Sequence, residues 1–129
     1  MRAATVVREA ALWVVAVFLA YVFSQQGISK FSASSGWSAA FRLWHYPDWF
    51  RITIGVVEVA AAALVLIPQT ALIGGVLIVG VMLGGMGTHV YWGHPGQMTS
   101  EALPLVLGIV LAVGRRNRFF TRRARENGA

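Results

Sequence analysis

Glu58 and His89 stand inside two of the most apolar stretches of the chain, Ile52 to Ile67 and Ala71 to Trp92. A carboxyl group accepts hydrogen bonds and exchanges protons, and an imidazole does either near neutral pH. An ionisable Asp, Lys or Arg within a bilayer span costs on the order of 2.5–3.5 kcal/mol on insertion scales, so Glu58 needs a partner or a proton. Its neighbours one turn away are Gly55, Ala61 and Ala62, a small face that lets another helix bring a donor close. His89 shares its face with Met82, Gly85 and Met86, a soft surface with room for a flat apolar ligand. The spacing poses two alternatives: a Glu58–His89 tie between helices, or a ligand and proton-relay site in which Gln26 and Lys30 close the first apolar segment in the same layer.

Other chemistries lack their residues. With no cysteine, a disulfide framework, a catalytic thiol and thiolate metal sites are excluded. The three histidines have no metal-ligand spacing, because His89 and His94 are five apart across a turn and His45 lies in a loop, so no metal is assigned. Asp48 reads as a helix cap rather than a triad member. The glycines of residues 74–87 follow no strand, which argues for helix packing and against a nucleotide loop.

The elements that must carry these residues are helices in a membrane. Of 129 residues, 57% are hydrophobic and 12% charged, and the mean hydropathy is +0.63. Soluble domains carry about twice that charged fraction. The pattern predicts an all-α, integral membrane four-helix bundle in a single domain, with spans at about 8–28, 51–67, 70–92 and 100–115 and a basic tail over 115–129. Trp37, Phe41 and Trp44 recur at i, i+4 and i+7, so a short interfacial helix is expected between the first two spans, its rings in the acyl boundary. Pro68, Gln69 and Thr70 form so short a link that the helices flanking it must be antiparallel neighbours. Gly93, His94, Pro95 and Gly96 make a turn, and Thr99 or Ser100 is expected to cap the last helix, with Arg115 and Arg116 snorkelling at its far end.

Arg2 and Arg8 at one end and Arg115, Arg116, Arg118, Arg122, Arg123 and Arg125 at the other place both termini in the cytoplasm. Lys30, Arg42 and Arg51 count against this and are outnumbered. Glu58, His89, Lys30, Gln26 and Glu101 then fall in the outer half. The net charge of +6 reads as a topology anchor near anionic lipid, not as a nucleic-acid surface.

Four short stretches in order, Gly27-Ile28-Ser29-Lys30-Phe31, Gly55-Val56-Val57-Glu58, Leu66-Ile67-Pro68 with Thr70-Ala71, and Gly87-Thr88-His89, resemble the DoxX-like family of small four-helix membrane proteins over roughly residues 10–114. The sequence departs from the family where a glycine pair often follows the glutamate, here Ala61 and Ala62. By this likeness Lys30, Glu58 and His89 occupy the family's recurrent polar positions. The resemblance implies a redox-linked subunit of a bacterial cytoplasmic membrane, associated with quinone and with an oxidoreductase partner or a second copy of itself. In that reading His89 donates to a quinone-like carbonyl, Glu58 exchanges its proton, Lys30 is its counter-charge, and Met82, Met86 and Gln26 contact the cofactor. The alternative is a non-catalytic anchoring or assembly protein whose polar residues only tie helices together.

Overall fold

The structure, a computed structural model, describes residues 2–93 and 99–128. Among them are five helices and no strand: α1 (Arg2–Lys30), α2 (Gly36–Leu43), α3 (Asp48–Val65), α4 (Ala71–Tyr91) and α5 (Thr99–Gly128). His94, Pro95, Gly96 and Met98, and with them most of the expected turn, lie outside the described residues. By length and hydropathy two helices, α1 and α4, are able to cross a membrane.

The long helices pack in the order α1 on α3, α3 on α4 and α4 on α5, with α1 also touching α5. The link after α3 is closed as tightly as Pro68, Gln69 and Thr70 require. Leu66 and Ile67 donate back to the carbonyls of Ala63 and Leu64, and the Thr70 hydroxyl donates to Leu64 at 2.9 Å. Those bonds satisfy carbonyls that the end of α3 leaves without partners. The core they lead into is aliphatic, with Leu19, Phe23, Ile78 and Leu111 fully covered.

Glycines set the helix crossings, but not as one continuous stripe. A Cβ on Gly27 would stand 2.8 Å from the Gly55 carbonyl oxygen, and one on Gly55 would stand 2.9 Å from that of Gly27. This crossing brings α1 against α3. A Cβ on Gly75 would meet the Gly108 carbonyl oxygen at 2.8 Å and the Ala112 Cβ at 3.0 Å, which fixes α4 on α5. Gly80, Gly84 and Gly87 have nothing within 4 Å of that position. Ala61 and Ala62 are both buried at the α3 core face, and Gly74 packs against the Ala61 carbonyl.

The structure departs from the sequence reading at several points. α1 begins at Arg2, and the stretch expected as a tail continues α5 to Gly128. Asp48 occupies the first helical position of α3 after Pro47 and makes no side-chain cap; it lies 3.6 Å from Arg51 instead. Arg115 does not snorkel. It is 2% exposed, and its Nη1 reaches the Glu9 carboxylate oxygens at 2.5 and 2.8 Å. Most consequential, the aromatic face of α2 turns inward: Phe41 is buried, with Trp44, Tyr46 and Phe50 ring centroids 5.5, 5.7 and 6.2 Å away. An interfacial helix has two apolar destinations, lipid or protein, and the amphipathic pattern is the same for both.

Candidate functional site

The Gly27–Gly55 crossing delivers Lys30 to Glu58. Three residues beyond each glycine, the Lys30 Nζ lies 2.6 Å from the Glu58 Oε1, with the two side chains 4% and 0% exposed. Lys30 is also the last residue of α1, and its carbonyl accepts a hydrogen bond from the buried guanidinium of Arg51. The same Arg51 nitrogen reaches the Ser32 carbonyl at 3.4 Å. A cation at a helix C-terminus complements the helix dipole and its unpaired carbonyls.

Further along the α4–α5 contact, His89 meets Glu101. Their Nε2 and Oε1 are 3.1 Å apart. Gly85, one turn before His89, leaves the space that the Glu101 carboxylate fills, since a Cβ there would stand 2.5 Å from Oε1. The expected Glu58–His89 tie is thus replaced by two separate pairs, Glu58 with Lys30 and His89 with Glu101. Glu101 is the residue that sequence reasoning left out of the site. Its signal was present in the first turn of α5, at the same end of the bundle as His89.

Beside these pairs lies an open cleft of about 1360 Å³ that Lys30, His89, Glu101, Gln26 and Met82 help to line. Glu58 stands behind Lys30 and does not line it, and neither does Met86, which is half-buried. α2 covers the polar floor. The Trp37 ring lies over the Lys30 Nζ at 3.6 Å from its centroid, a cation–π contact. The Trp44 ring meets the His89 ring edge to face at 5.5 Å. The turn that follows α2 has His45 in the left-handed region at φ 60°, and the Tyr46 hydroxyl then bonds that of Thr88 at 2.9 Å.

Two polar atoms of this floor, His89 Nδ1 and Glu101 Oε2, are buried without a hydrogen-bond partner among the described residues, as is Glu58 Oε2 behind Lys30. Such atoms cost free energy until a ligand, a proton or a water satisfies them. The arrangement combines an ammonium, an imidazole and a carboxylate beneath aromatic and aliphatic walls. Groups of these types can hydrogen-bond the edge of a bound molecule and exchange protons.

The described residues are all-helical, with two helices long and apolar enough to cross a membrane and ion pairs buried between helices, the features of a small membrane protein. A family sequence model described as the DoxX-like family matches residues 14–114, and the chain belongs to that family. No curated protein and no solved structure matches it.

Proposed function

We propose that this DoxX-like membrane protein is a quinone-associated redox subunit, and that the cleft above Lys30, His89 and Glu101 holds the quinone headgroup. The observation that carries the reading is the pairing of an aromatic-walled cleft with a floor of unsatisfied polar atoms. Glu101 holds His89 through Nε2, which leaves Nδ1 to bond a quinone oxygen. Lys30 places positive charge beside the oxygen that gains electron density. A quinone bound there would supply the redox chemistry, taking its two electrons from an oxidoreductase partner and its two protons from solvent by way of His89. Glu58 is the counter-charge of Lys30 rather than a contact of the ring. The Trp44 ring must swing aside for a headgroup to reach Nδ1, which gives α2 the part of a cover.

The proposal includes four membrane-spanning helices in a bacterial cytoplasmic membrane. α3 carries Asp48, Arg51 and Glu58, yet Arg51 and Glu58 point into the bundle, while Ile52 and Val56 are exposed. α5 likewise exposes Leu103, Val106, Ile109 and Val110. An outward apolar face with its charges paired inside is what lipid requires. The arginines at both ends favour cytoplasmic termini and an outward-facing cleft.

A second reading, a non-catalytic assembly or anchoring protein, is favoured by one observation: the two ion pairs beside the cleft link adjacent helices, α1 to α3 and α4 to α5. Mass spectrometry of lipid-soluble cofactors separates the two. Wild type purified from its membrane is expected to carry quinone approaching one per chain. Glu101→Gln, which keeps the shape of the side chain, should carry several-fold less. Quinone absent from both preparations leaves the assembly reading standing.

A further inference from the structure

We propose that the end of the molecule opposite the cleft carries a phosphate-binding site, formed where α5 passes the α3–α4 turn and suited to the headgroup of an anionic phospholipid. There Gln69 of the turn and the exposed Asn117, Arg118, Thr121, Arg122 and Arg125 of α5 line an open surface pocket of about 350 Å³. The arginines at 118, 122 and 125 recur at intervals of four and three, so one face of α5 aims its guanidinium groups at one place. Guanidinium forks match the oxygens of a phosphate, and the amides of Gln69 and Asn117 with the Thr121 hydroxyl suit a glycerol headgroup.

The charge here is compensated only in part. Glu126 Oε1 takes the Nε of Arg122 at 3.0 Å, leaving the two terminal nitrogens of that fork for another anion. Arg118 reaches Glu9 at 3.4 Å. Among the described residues Arg125, Thr121, Asn117 and Gln69 make no side-chain hydrogen bond or ion pair. Apolar surface is near in the chain, since Leu66 and Ile67, just before Gln69 in the same turn, are 40% and 48% exposed. A phosphate in the pocket would leave acyl chains beside them. That continuity favours a lipid over a soluble phosphate, although the phosphate contacts would be the same.

The test compares Arg122→Gln/Arg125→Gln with Arg116→Gln/Arg123→Gln, which removes equal charge from α5 outside the pocket. Arg118 is kept because of its contact with Glu9. Full-length proteins in neutral detergent, checked for helicity, are titrated with phosphatidylglycerol and, separately, with inorganic phosphate. Binding is read by native mass spectrometry and melting temperature. The pocket variant should bind phosphatidylglycerol about tenfold more weakly than wild type, and the control no more than about threefold more weakly. Inorganic phosphate should stabilise wild type weakly and the pocket variant not at all. If phosphate alone reproduces the full effect of the lipid, the lipid source is overturned and a soluble anion takes its place. Equal weakening in the two variants, or no binding to wild type, overturns the site.

Discussion

Lys30→Met is expected to cost about 3–5 kcal/mol of stability in detergent, because it leaves the fully covered Glu58 carboxylate without its counter-charge. Glu58→Leu should be similarly costly, stranding an ammonium that is 4% exposed. The double variant Lys30→Met/Glu58→Leu should recover most of the loss, since an apolar pair of similar volume removes both desolvation penalties. Reversible unfolding of the four proteins gives the coupling by a double-mutant cycle. Additive losses would show that the contact between these atoms does not hold α1 to α3. The Trp37 ring over Lys30 adds a smaller share, about 1 kcal/mol or less where exposed and more where desolvated.

Arg115→Met should destabilise the bundle by about 2–3 kcal/mol, the range for losing hydrogen bonds between charged groups. Arg115 has only 2% of its side chain exposed while Glu9 keeps 31%, so the carboxylate can turn to water when its partner is gone. Glu9→Gln leaves the buried guanidinium facing an uncharged amide and should lie between wild type and Arg115→Met. The pair joins the first third of α1 to α5, reinforced by the Arg8 Nη2 bond to the Gly114 carbonyl at 2.9 Å. Its loss should therefore open the α1–α5 contact before the α4–α5 one. Hydrogen exchange at α1 residues 9–16 is expected to rise first. A melting temperature of Arg115→Met equal to that of wild type would mean that this contact carries no stability.

The helices were legible where apolar length and punctuation coincide. α4 runs Ala71–Tyr91 against an expected 70–92, since Pro68 and Gly93 bound it on either side. α3 runs Asp48–Val65 against 51–67, the shift at its start following from Pro47, whose fixed φ allows a helix to begin directly after it. The partners of the buried charges were less legible. Periodicity places Glu58 on a small face and His89 beside Gly85, but it does not give the rotation of one helix against the next. Here the Gly27–Gly55 contact turns Glu58 toward α1, and the Gly85 gap turns His89 toward α5. Arg115 misled for a related reason: a basic residue at an apolar boundary normally snorkels, and only the distant Glu9 draws it inward. The ring face of α2 was correctly read as a face, while its destination depended on a cleft that no single segment encodes.

The claim that the cleft is a quinone site is tested most directly by the melting temperature of purified wild type titrated with a short-chain, water-soluble quinone, beside Glu101→Gln and Trp44→Ala. A ligand at 100 times its dissociation constant stabilises the folded state by about 2.7 kcal/mol, a shift of several degrees for a chain of this size. Wild type should show that shift. Glu101→Gln should show less than about a third of it, because the uncharged amide removes the anion that holds the His89 ring. Trp44→Ala removes the ring that covers His89, so it should keep the shift and speed association. No shift in wild type, or equal shifts in wild type and Glu101→Gln, would contradict the quinone reading and leave the two ion pairs as helix ties.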